Sequence, residues 1–437
     1  MMPDSRYNKA IHNSSQKFKV EMRKSVILLI IILVFLAGFS FLPVKPVNAS
    51  NPFPPENVSE GIQVVGTGPL NFPAGVNPLT GLTENNPDDL LLPPALVSIS
   101  TFPPSARPQS GLSYSPWVFE MFIGEGMSRY LAIFYGSYPQ AAVADKKNDF
   151  SASSAPEIGD ATIGPIRSGR LSYESVRKLY NGFLVMASAY SSVAARLSDY
   201  TNVFGSDSSG AGSSIKVADL RSIANKYRGK MKMTAESLSG MQFDPKIPAK
   251  GKLATQIWYP VALLNQVVWQ YDTTSGAFTR WQDDADGVTF VQATDRLNGD
   301  PLQYENIVIL YADHHRYADT LMDIDLMFVN KGKAVLFRDG QKFDLFWTTR
   351  SAEYEQTTGK VRPIRFMDAE GNPFPFKPGQ TWVHLTPVGA PVYETSAWDI
   401  GALKDVNLSW QEHKRSRDEG SGYWTVDFYQ PAIEPKK

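Results

Sequence analysis

The stretch WVFEMFIGEGMSRYLAIFY, residues 117–135, decides the fold that we predict for this chain of 437 residues. Two runs rich in β-branched and aromatic residues, 117–123 and 129–135, lie on either side of Gly124-Glu125-Gly126. Such runs favour strands, and glycine favours the turn that joins them. The stretch therefore predicts a β-hairpin.

The sequence on both sides of this hairpin predicts a mixed α/β domain over residues 79–245. Short apolar runs at 95–100 and 183–190 predict further strands. Apolar residues at helical spacing predict helices at 172–181 and 216–227. Strands mixed with helices imply a sheet with helices packed on it.

Beyond residue 250 the helical pattern thins out, and a β-rich domain is predicted over 250–395. Runs at 267–271 and 277–281 flank the turn sequence DTTSG and predict a second hairpin. Further strands are predicted at 307–311, 324–329, 334–338, 342–347 and 380–385. Residues 396–437 form a C-terminal extension, in which 422–428 are expected to add an edge strand. The predicted fold class is α+β or mixed α/β, with an N-terminal mixed sheet with helices followed by an antiparallel, β-rich C-terminal domain.

Residues 1–49 have the pattern of a signal peptide or an N-terminal membrane anchor. An uninterrupted apolar run at 26–42 follows a basic segment and is just long enough to cross a hydrocarbon core as a helix. Positive charge on the N-terminal side places the remainder of the chain across the membrane. The small residues in VNA at 47–49 predict cleavage before Ser50, and without cleavage the run would serve as an anchor. Residues 50–78, rich in proline at their start, predict an extended tether.

Charge and cysteine content narrow the classes of function. Residues 1–49 carry seven basic and two acidic side chains, a net charge of +5, so the total of −1 leaves the remainder at −6. An acidic body lacks the basic footprint that nucleic-acid binding requires. The chain contains no cysteine, which excludes disulfides, a thiolate nucleophile and a lipid-modified cysteine.

Arginine and glutamate residues gather on or beside the elements predicted for the first domain. Glu120 interrupts the strand at 117–123, and Arg129 opens the next strand nine residues later, so we expect the hairpin to bring them within reach. Guanidinium groups bind carboxylates and phosphates in a forked geometry. The candidate ligand-binding set is Arg107, Gln109, Ser110, Glu120, Glu125, Arg129, Arg167 and Arg170. The alternative interpretation is a buried Arg–Glu network that fixes how the strands and a helix meet, without a ligand.

The sequence assembles no recognisable catalytic group. Ser175 and Lys178 have the spacing S-x-x-K, but the partner motifs of that chemistry are missing. His314 and His315 are adjacent, so on a strand their rings face opposite sides and cannot share one metal ion. We therefore assign no catalytic residue, no metal and no cofactor, and the sequence favours a binding protein over an enzyme.

Four blocks give the chain a family resemblance. They are NPLTG at 77–81, ARPQSGL at 106–112, GMSRYLAIF at 126–134 and IGPIRSGR at 163–170. In their order and spacing they resemble the YerB-like family of bacterial lipoproteins, a domain of unknown function with an N-terminal part and a β-rich C-terminal part. The resemblance covers roughly residues 77–390 and implies an envelope protein of bacterial type, without an assigned reaction.

The chain departs from that family's pattern at three places. The lipobox cysteine is absent, so lipidation is not carried over. Ser100, Thr101 and Phe102 stand where members usually carry Asn and His, and 186–190 replaces a segment rich in His and Gly. These departures weaken an enzymatic interpretation further.

We therefore expect an extracytoplasmic, envelope-associated module, secreted or anchored by its N-terminal segment, that binds another protein or a cell-wall polymer. One alternative is a hydrolase of wall glycan or peptide with Glu120 and Glu125 as acid and base, which needs two carboxylates about 5–10 Å apart in an open cleft. The other alternative is a receptor for a small anion that uses the arginines. Membrane contact is expected only through an uncleaved N-terminal segment, and no nucleic-acid partner is expected.

Overall fold

A computed structural model describes residues 72–139, 161–205, 213–234, 236–350, 355, 358–396 and 416–435. The predicted membrane segment, the cleavage site and most of the tether lie outside these residues. None of the described helices is long and apolar enough to cross a membrane.

Strands dominate the described residues. Numbered in chain order, they are β1 Ala95–Ser100, β2 Trp117–Gly124, β3 Met127–Phe134, β4 Thr162–Ile166, β5 Phe183–Met186, β6 Thr201–Val203, β7 Ser213–Lys216, β8 Gln242–Phe243, β9 Lys252–Leu253, β10 Gln256–Ala262, β11 Asn265–Asp272, β12 Ala277–Asp283, β13 Phe290–Gln292, β14 Gln303–Tyr304, β15 Asn306–Ala312, β16 His314–Ala318, β17 Leu321–Ile324, β18 Gly332–Arg338, β19 Gln341–Thr348, β20 Arg365–Met367, β21 Pro375–Phe376, β22 Thr381–Pro387, β23 Val392–Glu394 and β24 Tyr423–Val426.

Helices are few and short by comparison. The described α-helices are α1 Tyr173–Leu179, α2 Ser191–Ala194 and α3 Val217–Arg228, and short 3-10 helices lie at Pro87–Leu91, Pro104–Ala106 and Leu112–Tyr114. Helix α3 buries Val217, Leu220, Ala224 and Tyr227, the one-sided spacing expected of a helix that packs on a sheet. The described fold is β-rich, and the predicted mixed α/β character of the first segment is present only in part.

A large sheet of thirteen described strands is built from both predicted domains. Its main path runs β20-β19-β18-β15-β22-β2-β3-β1-β4-β7. Strand β22 pairs in parallel with β15 on one side and with β2 on the other. Strands from 79–245 and from 250–395 therefore share one continuous ladder of hydrogen bonds.

A smaller sheet of seven described strands packs on one face of the large sheet. Its path runs β13-β12-β11-β10-β24-β23, with β14 beside β12. Between the sheets, the ring of Trp382 makes edge contacts with Tyr130 of the large sheet and with Trp269 and Tyr304 of the small one. The ring of Tyr259 stacks on His384 at 4.1 Å. The opposite face of the large sheet carries the main apolar core, onto which α1 packs through buried Tyr173 and Val176 and their neighbours.

Two expectations about the second half need correction. The β-rich segment is not purely antiparallel, because β22 is parallel to both of its neighbours and β24 is parallel to β10. The strand predicted near 422–428 exists as β24, but it lies inside the small sheet between β10 and β23 rather than at its edge. Both differences come from pairings between distant parts of the chain, which local hydrophobic patterns do not encode.

Candidate functional site

Glu120 lies in the middle of β2 and points between the two sheets, where only 2% of it is exposed. Its carboxylate accepts hydrogen bonds from Ser128 Oγ at 2.8 Å, Trp382 Nε1 at 3.1 Å and Arg280 Nη1 at 3.2 Å. Burial alone would raise the pKa of Glu120, but the Arg280 guanidinium and His384 hold it below its ordinary value. Glu120 is therefore an ionised, buried and fully surrounded carboxylate.

The partner of Glu120 is Arg280 of β12, which comes from the small sheet and is completely buried. Arg280 Nη2 donates to Tyr130 Oη at 2.7 Å, and the guanidinium carbon lies 4.3 Å from the centre of the Trp382 ring. Burial raises the pKa of Tyr130 to about 12, so its hydroxyl stays neutral beside this cation. The ion pair thus connects the two sheets from inside their shared interface.

His384 of β22 completes this inter-sheet cluster, which we define as Glu120, Tyr130, Arg280, Trp382 and His384. Its Nε2 accepts a hydrogen bond from Trp269 Nε1 at 2.9 Å, which puts the ring proton on Nδ1, 3.4 Å from Glu120 Oε2. Burial lowers the pKa of His384 to about 3, and the histidine is neutral at physiological pH. The cluster balances one anion with one cation and has no opening for a ligand.

The hairpin forms as predicted, but it does not bring Glu120 and Arg129 together. Glu120 is opposite Tyr130 in the register of β2 and β3, and Arg129 is opposite Met121. Since neighbouring residues on a strand face opposite sides, Glu120 points towards the small sheet and Arg129 towards the helical side. Met121 Sδ, on that second side, accepts a hydrogen bond from Ser172 Oγ at the start of α1.

Glu125 differs from Glu120 in its exposure to solvent. It lies exposed in the turn between β2 and β3, with a positive φ of 50°. A general acid must reach substrate, and Glu120 is sealed between the sheets. Glu120 and Glu125 therefore do not form the open pair of carboxylates that the hydrolase alternative assigns to them.

Three of the remaining candidates hold loops in place. Gln109 Nε2 donates to the Ser100 carbonyl at 2.9 Å, and Ser110 Oγ donates to the Thr162 carbonyl at 2.5 Å. Arg107 donates from Nε to the Thr101 carbonyl and from Nη1 to the Asp283 carbonyl, at 3.1 and 2.6 Å. Burial lowers the pKa of Arg107. These side chains link loops and strands through main-chain carbonyls.

Arg129, Arg167 and Arg170 do come together, on the helical side of the large sheet. Arg129 Nη1 donates to the Ser168 carbonyl at 3.3 Å, and Arg167 Nε donates to Ser100 Oγ at 3.3 Å. Ser100 is the register partner of Arg129. Because Arg167 donates to Ser100, the side chains of Arg129 and Arg167 lie at neighbouring positions of the sheet. We call Arg129, Arg167 and Arg170 the arginine cluster.

Of the two arginines that precede α1, Arg167 and Arg170, Arg170 is the more deeply buried. It is 9% exposed, and its Nη1 donates to the adjacent Gly169 carbonyl at 3.2 Å. Its buried Nε has no hydrogen-bond partner among the described residues. A buried guanidinium N–H without an acceptor is unfavourable, and the Nε of Arg280 in the inter-sheet cluster is in the same condition.

The sequence alone did not identify the inter-sheet cluster beyond Glu120. The available signal was Arg280, a cation that shares one face of β12 with the apolar Phe278. Its partner lies 160 residues away, which no local pattern reveals. Within the described residues, no group of three His, Asp or Glu side chains is arranged to hold a metal ion.

Comparisons with known proteins agree on one family. The N-terminal domain model of the protein of unknown function DUF3048 matches residues 79–238, and the C-terminal domain model matches 259–383. A curated relative, the putative lipoprotein YerB of Bacillus subtilis (strain 168), is 28% identical over 330 residues, covering 71% of this chain and 86% of that protein. The crystal structure of YerB protein from Bacillus subtilis aligns with a TM-score of 0.53 at 24% identity, covering 71% of this chain and 96% of that one, and shows a shared fold. The chain belongs to the DUF3048 family, whose members have no assigned function.

Proposed function

We propose that this protein is an extracytoplasmic binding module that captures an anionic cell-wall component through the arginine cluster. The observation that carries the proposal is that three arginines lie in or beside the segment 167–170, with Arg129 donating to the Ser168 carbonyl and the buried Nε of Arg170 lacking an acceptor among the described residues. Guanidinium groups suit carboxylate and phosphate, the anionic groups of acidic wall polymers.

The proposed location rests on two sequence observations. The apolar run at 26–42 follows a basic segment, an arrangement that exports or anchors what comes after it. The curated relative is named a putative lipoprotein, which supports an envelope location for a family member. A reporter fused after Ser50 should therefore be active only outside the cytoplasm, and activity inside would contradict the proposal.

Binding is tested by titrating the full-length chain with poly(glycerol phosphate), with uncharged dextran as the control polymer. The double variant R167M/R170M should weaken binding of poly(glycerol phosphate) by about tenfold or more, since each lost charge-assisted hydrogen bond contributes about 1.5–3 kcal/mol. Raising the salt concentration should weaken binding by the wild type in the same direction.

The matched control is R228M, which removes a cation from the exposed end of α3. It should leave the affinity within about twofold. If R167M/R170M and R228M bind the polymer equally well, or if the first variant loses stability without losing affinity, the arginine cluster is a structural network rather than a binding site.

A further inference from the structure

The outer face of the small sheet forms a groove on the side away from the large sheet. Arg280 belongs to the inter-sheet cluster and Trp269 donates to His384 in it. Thr279, Trp281 and Gln270, their neighbours on β12 and β11, therefore face outwards. The groove has a volume of about 590 Å³, within the usual range for ligand sites. It is separate from the arginine cluster, which lies on the far side of the large sheet.

One row of side chains crosses the floor of this groove. Gln256 is opposite Tyr423 on one neighbouring strand and opposite Gln270 on the other. Gln270 is opposite Thr279, which in turn is opposite Gln303. Four strand spacings of about 4.8 Å give the row a length of about 19 Å, which suits an extended chain.

We call this row, together with Trp281, the amide groove. Gln256 and Thr279 are only 4% and 7% exposed, and they form its floor. Trp281 and Tyr423 line the groove and are half-buried, and Trp281 also packs against the buried side chains of Trp258, Val268 and Phe290. Gln303 Nε2 donates to Thr279 Oγ1 at 2.9 Å, which orients the amide and hydroxyl groups relative to each other.

The chemistry of the lining is neutral and bifunctional. Each glutamine carboxamide offers two donors and an acceptor, and each hydroxyl both donates and accepts. Among the described residues that line the groove, Asp272 alone carries a formal charge. Its carboxylate accepts from the Thr274 main-chain N–H at 2.8 Å within its own turn. If this sheet face contacted only solvent, we would expect Lys and Glu on it, because proteins expose these side chains most often.

We propose that the amide groove binds a neutral oligosaccharide, such as a segment of a glycan strand. Sugar hydroxyl and acetamido groups donate and accept hydrogen bonds at short intervals, which matches the carboxamides and hydroxyls of the row. The faces of Trp281 and Tyr423 provide the flat apolar surface that the C–H groups of a sugar ring require. The lining is too polar for a lipid, and without Lys or Arg it does not suit an anion.

The test uses the full-length chain and three uncharged tetrasaccharides: tetra-N-acetylchitotetraose, cellotetraose and maltotetraose. Binding is followed by calorimetry and by tryptophan fluorescence, since Trp281 lies at the groove. At least one of the three should bind. Q270E and T279V, which keep the side-chain size, should each weaken that binding by about tenfold, equivalent to one lost hydrogen bond of about 1.4 kcal/mol.

The control Q430E makes the same chemical change at an exposed position outside the groove and should bind like the wild type. R167M/R170M should also retain sugar binding, and Q270E should retain binding of poly(glycerol phosphate). The experiment therefore tests the arginine cluster and the amide groove independently of each other. Absence of binding for all three sugars would overturn the proposal. Equal affinity of Q270E, T279V and Q430E would overturn it as well.

Discussion

The carboxylate of Glu120 is held by groups from three strands: β3 and β22, the two neighbours of β2, and the small-sheet strand β12. A carboxylate buried away from water needs an oppositely charged partner, because desolvation of an unpaired carboxylate costs a large amount of free energy. Its partner Arg280 is itself stacked among aromatic rings that favour a cation. The pair therefore specifies how the two sheets meet.

Removing one member of this pair should be strongly destabilising. R280M leaves the Glu120 carboxylate buried without its cation, and we expect the free energy of unfolding to fall by about 3–5 kcal/mol in urea titrations. The double variant E120L/R280M should recover part of the loss because it removes both charges. The control R196M breaks the exposed ion pair with Asp323 and should change stability by less than about 1 kcal/mol. Equal effects of R280M and R196M would refute a special role for the buried pair.

His384 should make stability depend on pH. Burial lowers its pKa to about 3, whereas in the unfolded chain it titrates near its ordinary value of 6.5. Between these values the unfolded state binds more protons, so the free energy of unfolding falls as pH falls from 6.5 towards 3. The slope from this residue should approach about 1.4 kcal/mol per pH unit.

The measurement compares urea unfolding of the wild type and H384Q at several pH values. The difference between the two free energies of unfolding cancels the pH dependence of titrating groups that both proteins share. One such group is Asp283, whose pKa is raised by burial to about 6, so its effect on stability is opposite to that of His384. The difference should shrink as pH falls below 6.5. A difference that is independent of pH would mean that His384 titrates normally in the folded protein.

At the scale of the element, the turn between β2 and β3 depends on a glycine. Gly124 has a φ of +102°, and a Cβ atom there would lie 1.9 Å from the main-chain oxygen of Asp319. Main-chain atoms do not yield as flexible side chains do, so any substitution must displace the β16–β17 hairpin. The tight approach explains why glycine ends this strand.

G124A should therefore destabilise the protein by about 2 kcal/mol or more, through the positive φ and the clash together. Gly229, just past α3, is the matched control, because its φ is negative and no heavy atom lies within 4 Å of an added Cβ. G229A should be neutral or slightly stabilising. Thermal unfolding measures both, and similar melting temperatures for the two variants would contradict the argument.

The local pattern of apolar and β-branched residues was enough to predict several strands that contain no proline. The strand at 95–100 is β1 as observed, and the hairpin at 117–135 is β2 and β3 with small shifts at the ends. Strands β4 and β10 contain Pro165 and Pro260, residues that interrupt a strand pattern, and they were not predicted. The order of strands could not be predicted, since it depends on contacts such as Trp382 with Glu120, 262 residues apart.

The candidate site shows the same division. The sequence singled out a set of arginines, and three of them lie in or beside the segment 167–170 of the structure. It could not indicate that Glu120 and Arg129 face opposite sides, because this depends on the register of the hairpin and a shift of one residue reverses every side chain. The amide groove was not predicted at all. Its residues come from five strands, of which two were not predicted: β10, which contains Pro260, and the two-residue strand β14.

For the whole molecule, the central position of β22 has a thermodynamic consequence. This strand comes from the second half of the chain, yet it completes the hydrogen bonding of β2 from the first half. The small sheet adds a second connection through Arg280 and Glu120. Either half alone would expose a long apolar strand edge and one charge of a buried pair, and both are unfavourable.

We therefore predict that the described residues between 72 and 435 unfold as one cooperative unit and that neither 54–245 nor 246–437 folds when expressed alone. Hydrogen exchange monitored by mass spectrometry should show the amides of β2 and β22 losing protection together as urea is added, since each strand holds the other in the sheet. Circular dichroism and tryptophan fluorescence should give coincident transitions for the whole unit. A cooperative transition in either separate half, or protection of β2 that persists after β22 has exchanged, would show that the halves are independent domains despite their shared sheet.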